Sequence, residues 1–108
     1  MAFKVFLTED AADDLGEIYS YIAKQDSPQK AGYVLDQIEK KFISLGELPE
    51  RGVHPKELLS LGIREYREIF FKPYRSIYRI VNKTVYVFLI ADGRRDMQTL
   101  LQRRLLQA

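Results

Sequence analysis

The residues of this chain best suited to chemistry are its arginines, and they crowd into the last third. In Tyr74-Arg75-Ser76-Ile77-Tyr78-Arg79-Ile80-Val81 the two-residue period of a strand puts Arg75, Ile77, Arg79 and Val81 on one face, and Tyr74, Ser76, Tyr78 and Ile80 on the other. Arg67 and Lys72 come before this stretch. Arg94 and Arg95 follow it in Asp92-Gly93-Arg94-Arg95-Asp96, and Arg103-Arg104 lie near the end of the chain. Gathered at one end of a sheet, these side chains would make a basic pocket with tyrosines beside it. A guanidinium grips phosphate or carboxylate through two parallel N–H groups and stabilises charge developing on a phosphorane, while an aromatic ring stacks on a splayed base. The plain alternative is that Arg75 and Arg79 pair across the sheet with Glu65 and Glu68. On composition alone the ion pairs are the favoured reading.

Other candidate chemistry is weaker. His54 is the single histidine, set in a Pro/Gly connector with no serine or cysteine elbow to act on, so it reads as a surface loop residue. Glu9, Asp10, Asp13, Asp14 and Glu17 cluster near a helix start, where the dipole favours carboxylates without any metal. Asp92-Gly93-Arg94-Arg95 is a turn and not a nucleotide fingerprint. With no cysteine, disulfides, thiolate catalysis and Cys-based zinc sites are excluded. No metal and no cofactor is expected.

The elements that must position the arginines follow from periodicity. Lys4 to Thr8 is a short strand candidate, and Thr8 caps a helix over 9–24 whose apolar stripe is Ala11, Leu15, Ile18, Tyr19 and Ile22. Ser27-Pro28 restarts a second helix, with Ala31, Val34, Leu35, Ile38, Phe42 and Leu45 on one side, ending near Gly46. So short a connection folds the two helices into an antiparallel hairpin. Residues 47–62 read as an irregular connector pinned to the core by Leu58, Leu59 and Leu61. Strands follow near 64–71, 74–81 and 84–91, the last two joined at Asn82-Lys83. The almost wholly apolar run from Thr84 predicts a central strand covered on both sides. Asp96 caps a last helix carrying Met97, Leu100, Leu101 and Leu105. The order predicts one α+β domain over residues 1–108: an N-terminal strand and helical hairpin packed on a mostly antiparallel sheet, with a short C-terminal helix.

Length and charge agree with that frame. With 108 residues, 46% of them hydrophobic, the chain has room for one core and little sign of disorder. The net charge of +2 hides an asymmetry: residues 1–54 carry six Lys/Arg against ten Asp/Glu, a balance of −4, and residues 55–108 carry eleven against five, a balance of +6. Different partners for the two halves, or simply two solvated faces, would produce this. No apolar run reaches membrane-spanning length, so no membrane partner and a cytoplasmic location are expected.

Leu48-Pro49-Glu50-Arg51-Gly52, Tyr74-Arg75-Ser76-Ile77-Tyr78-Arg79-Ile80, Ala91-Asp92-Gly93-Arg94-Arg95-Asp96 and Leu100-Leu101, taken in this order, resemble the RelE/ParE family of toxins, the toxin halves of type II toxin–antitoxin modules. The resemblance covers nearly the whole chain and implies the RelE/ParE-like fold. It also implies a cognate antitoxin whose C-terminal segment wraps the toxin, with DNA reached only indirectly through that complex. RelE-like members cut mRNA on the ribosome without a metal, by attack of the ribose 2′-hydroxyl; ParE-like members poison DNA gyrase. For an mRNA interferase the resemblance assigns Arg75 to the scissile phosphate, Arg95 to transition-state charge and Arg67 to the basic residues of the preceding strand. It then requires a tyrosine on the C-terminal segment, where this chain has Leu101 and no tyrosine after Tyr86. Loss of a proton-transfer and stacking group removes orders of magnitude in rate, so the ParE-like branch is favoured. On that branch Arg75, Arg79, Arg94, Arg95, Leu101, Arg103 and Arg104 become residues that recognise target or antitoxin. The last helix and the groove beside the helical hairpin become antitoxin contacts.

Overall fold

The computed structural model describes residues 2–107; Met1 and Ala108 lie outside them. Strand β1, Lys4–Leu7, runs directly into a helix because Thr8 keeps an extended backbone and its Oγ1 accepts from the Ala11 amide at 3.2 Å. Helix α1 is Glu9–Gln25, with Glu9 and Asp10 in the dipole-favoured first turn. Ser27 repeats the device for α2, Pro28–Glu47: its Oγ accepts from Lys30 N at 3.1 Å, and Pro28 fills the first helical position. The two helices fold back on one another as the short connection requires.

The connector departs from expectation. Lys56–Leu59 forms a short helix, α3, which turns only Leu58 inward, 1% exposed. Leu59 and Leu61 remain exposed and do not pin the segment. Strands β2 (Tyr66–Phe71), β3 (Tyr74–Val81) and β4 (Thr84–Asp92) follow, with Asn82 in the left-handed region (φ 56) at the tight β3–β4 turn. Asp96 then caps α4, Met97–Leu101, accepting from the Thr99 amide at 3.1 Å, and the helix widens into a π-type turn over Gln102–Leu106.

The sheet order is β1-β4-β3-β2, antiparallel except for the parallel β1–β4 pair, so the apolar β4 is indeed interior. The pairing of β3 with β4 steps from Ile77–Leu89 to Tyr78–Val87, leaving Phe88 as the extra residue of a β-bulge. The bulge reverses the alternation along β4. Val85 and Val87 pack with Ile38, Ile69 and Tyr78 under the helical hairpin. Beyond the bulge, Leu89 and Ala91 pack on the opposite face with Ile77, Leu58, Met97 and Leu101. One strand thus feeds two cores. The second face is covered at one end by α3 and α4, while at the other Phe6, Tyr86 and Val81 stay exposed. No helix among the described residues is long and apolar enough to cross a membrane.

Candidate functional site

The arginines do not gather into one pocket. Arg75 is buried on the second face, beneath α3. Its Nε donates to Glu68 Oε1 at 2.6 Å, and Nη1 and Nη2 donate to the two oxygens of Glu57 at 2.8 Å each. Glu68 sits on the adjacent strand as the cross-strand reading expected; Glu57 comes from the helix that reading did not foresee. The two carboxylates respond in opposite ways. Hydrogen bonding to Arg75 holds the Glu57 carboxyl below its usual range against partial burial. Burial pushes Glu68 up, with Arg75 opposing. Arg75 itself is held above its ordinary value, chiefly by the Glu57 hydrogen bonds. Gly93 closes over the arginine stem: a Cβ there would lie 2.7 Å from Arg75 Cδ, so only glycine lets the exit of β4 pass so close.

Arg94 and Arg95 lie elsewhere, where β4 leaves the sheet. Arg94 Nε donates to Asp92 Oδ1 at 2.9 Å, which holds the Asp92 carboxyl below its usual range. Both arginines rim a cleft of about 410 Å³ between α1 and the sheet, shared with Glu17, Tyr21, Tyr74 and Asp92. Burial pushes the Tyr74 phenol up, and the Asp92 charge adds to it. A second cleft of about 300 Å³ shares Tyr21 and Tyr74 and continues between the hairpin and the β2–β3 turn, where Lys72 lies.

Arg67 points to the face opposite Arg75. Its Nη1 donates to the Gly52 carbonyl at 2.9 Å and the Glu50 carbonyl at 3.3 Å. The buried Tyr78 hydroxyl donates to Pro49 O at 2.7 Å and accepts from Gly52 N at 3.0 Å. The Leu48–Gly52 segment is therefore strapped to this one face of the sheet by two cross-strand neighbours, Arg67 and Tyr78. Val53 pairs with Glu68 along the β2 edge, and His54 Nδ1 donates to the Tyr66 carbonyl at 3.0 Å. His54 is thus an edge-covering residue. Arg67, Arg75 and Arg95 accordingly occupy three separate surroundings and do not meet in one site.

At the C-terminal end, Leu101 is 1% exposed within the second core, so it is not presented to a partner. Arg103 is exposed, whereas Arg104 turns inward. Its Nη1 and Nη2 donate to Asp14 at 2.9 and 3.1 Å, and Nη1 also donates to Phe88 O at 2.8 Å. Asp14 Oδ2 in turn accepts from Ile90 N at 3.0 Å. Strand β1 ends at Leu7, opposite Val87, and beyond it β4 has lost its neighbour. Asp14 and Arg104 supply the acceptor and donor that a longer β1 would have given to Ile90 and Phe88. Asp14, placed by the sequence in a carboxylate cluster that the helix dipole favours, thus has a second role as a largely buried partner of the sheet edge and Arg104. Asp14 stands three residues after Ala11 and four before Ile18, inside the apolar stripe, and that spacing is the signal for its inward position. Arg79 does not pair with glutamate; its guanidinium lies 5.8 Å from the centroid of the Tyr66 ring.

A family model described as the ParE toxin of the type II toxin–antitoxin system parDE matches residues 5–97. No curated protein sequence matches. Among solved structures, a chain of a chromosomal ParDE system from P. aeruginosa is similar at TM-score 0.71 and 21% identity, covering 84% of this chain and 96% of that one. A free mutant of the E. coli toxin RelE reaches TM-score 0.63 at 18% identity, covering 97% and 100%. A chain of the RelBE2 toxin–antitoxin complex from Mycobacterium tuberculosis reaches 0.59 at 22%, covering 85% and 92%. At these identities the structural likeness speaks for the fold.

Proposed function

The chain belongs to the ParE toxin family of type II toxin–antitoxin systems, and from that premise we propose that it poisons DNA gyrase in the cytoplasm and is silenced by a cognate antitoxin. The observation that carries this reading is the state of Arg75. In an mRNA interferase this guanidinium would grip the scissile phosphate. Here three of its N–H groups are taken by two carboxylates, leaving a buried cluster of net charge −1 when both are ionised. An incoming phosphate would meet repulsion there. Leu101 fills a core position where the nuclease needs its tyrosine, and Arg67 is occupied by backbone carbonyls on the other face. Under this reading Arg94 and Arg95, with the cleft along α1, belong to recognition of antitoxin or target. An amphipathic segment with an acidic residue aimed at Arg95 would suit that cleft, since Arg94 is already paired with Asp92 and Glu17 lines the same wall. DNA is reached through the antitoxin complex and the gyrase target.

The test runs gyrase and translation side by side with one preparation of toxin. Gyrase supercoiling should fall and cleaved DNA accumulate, while primer extension on mRNA in a translating extract shows no codon-positioned cuts. Cuts at codon positions with gyrase unaffected would overturn the reading in favour of a ribosome-dependent endoribonuclease.

A further inference from the structure

We propose that the uncovered end of the second sheet face is a binding platform for a single-stranded nucleic acid segment, built on Phe6, Tyr86 and Arg79. This goes beyond gyrase poisoning and does not rest on it. The register places one residue from each strand in a line: Phe6 on β1 opposite Tyr86 on β4, Tyr86 opposite Arg79 on β3, and Arg79 opposite Tyr66 on β2. All four share a face, because Val5, Val85, Val87, Tyr78 and Ile80 take the other one under the helical hairpin. The Phe6 and Tyr86 rings stack at 6.2 Å between centroids with planes inclined by 28°. Both stay open to solvent, at 50% and 37% exposure. Tyr66 is buried beneath Arg79 and meets Phe88 edge-on at 5.7 Å, so it holds the guanidinium from below and leaves it facing outward.

Charge selects the occupant. Among the described residues Arg79 has no carboxylate partner, and Lys4 lies two residues from Phe6 on the same face. Lys83 stands exposed at the adjoining turn. Among the described residues the strands put one carboxylate on this face, Glu68, and α3 brings Glu57 over it; both are consumed by Arg75 at the far end. Two adjacent exposed ring faces flanked by Arg79 and Lys4, neither of them ion-paired among the described residues, suit bases and the phosphates beside them. A protein helix would instead seek a groove of spaced aliphatic pockets, which this flat row does not offer. Duplex is disfavoured because its bases are already stacked on one another. With two rings and one guanidinium the platform holds about two or three nucleotides. No cleavage is implied, since the row carries no group to move a proton.

The test is fluorescence anisotropy of the full chain with labelled single-stranded 12-mers of RNA and of DNA, and with the DNA duplex of the same sequence. Saturable binding to a single strand, at least tenfold tighter than to the duplex, is expected; the RNA and DNA arms identify which strand the platform prefers. Phe6→Ala and Tyr86→Ala should each weaken binding about tenfold. Arg79→Gln should also lower the slope of log affinity against log salt by about one. Tyr86→Phe should retain binding, and Lys40→Ala on the opposite side should leave it unchanged. Circular dichroism confirms that each variant is folded. The proposal is overturned by absence of saturable binding, by equal affinity for duplex, or by a folded Tyr86→Ala chain that binds like the parent.

Discussion

Arg75 and Arg79 stand four residues apart on the same face of the same strand, yet they live in opposite environments. Arg75 is roofed by α3 and enclosed by two carboxylates; Arg79 is half-exposed, resting on Tyr66 with no acidic partner among the described residues. The strand pattern cannot separate them, because alternation fixes the face and not what folds over it. The four-residue helix α3 makes the difference by delivering Glu57 to one end of the face only. A guanidinium with its donors committed to buried carboxylates holds the fold together. One left on an aromatic ring in solvent is free to recognise a partner.

The contrast is broken most directly at Arg75. Arg75→Ala leaves Glu57 and Glu68 facing one another without a counter-charge, and loss of one partner from a buried ion cluster costs about 3–5 kcal/mol. Urea unfolding followed by circular dichroism should show that loss. Arg79→Ala removes a cation–π contact at a partly exposed site, so the same measurement should move by only about 0.5–1 kcal/mol. Equal losses at the two positions would erase the distinction drawn between them.

Gly52 tests the strap on the other face. A Cβ at this position would lie 2.5 Å from the Tyr78 hydroxyl and 2.6 Å from the Glu68 carbonyl. Gly52→Ala must therefore displace the Leu48–Gly52 segment, at about 1–3 kcal/mol by thermal or urea unfolding. Gly16→Ala, with open space around it, supplies the contrast and should not destabilise. A second paired comparison uses the adjacent Arg104 and Arg103. Arg104→Ala removes charge-assisted bonds to Asp14 and Phe88 O and should lose about 1–3 kcal/mol, whereas exposed Arg103 should change stability by less than about 0.5 kcal/mol.

These comparisons also mark what was legible in the sequence. Thr8, Ser27-Pro28 and Asp96 act as caps where their side-chain chemistry said they would, and the apolar stretch from Thr84 became the interior strand. Such signals are local, so one strand or one helix turn contains them whole. Helix α3 was missed because Lys56–Leu59 is too short to show a period and starts at Pro55 without a capping side chain. The bulge at Phe88 was invisible for another reason: Val85 through Ala91 are apolar on both faces, so no polar residue marks the change of phase. The arginines suffered most from both omissions. Their faces on β3 were readable, but Glu57 and Asp14 come from elements distant in sequence, and the partner decides whether an arginine is structural or free.

The finest difference lies inside the Arg75 cluster, between its two carboxylates. Glu57 has its pKa lowered, chiefly by hydrogen bonds from Arg75. Its ionised form therefore adds stability above the unfolded-state carboxylate pKa, and that stability is lost as pH falls through the lower folded value. Glu68 has its pKa raised, chiefly by burial. The native state then holds the Glu68 proton more tightly than the unfolded chain, so its ionisation removes stability as pH rises from the unfolded value through the folded one. Glutamine mimics the protonated acid, and the two substitutions should diverge in opposite directions. Both variants should come closest to the parent at acidic pH, where the carboxyls they replace are protonated. Toward pH 7, Glu57→Gln should fall below the parent in urea midpoint, while Glu68→Gln should gain on it. Parallel pH profiles for the two variants would mean that the pair shares its proton and its charge evenly, and that one guanidinium does not distinguish the helix that reaches over it from the strand beside it.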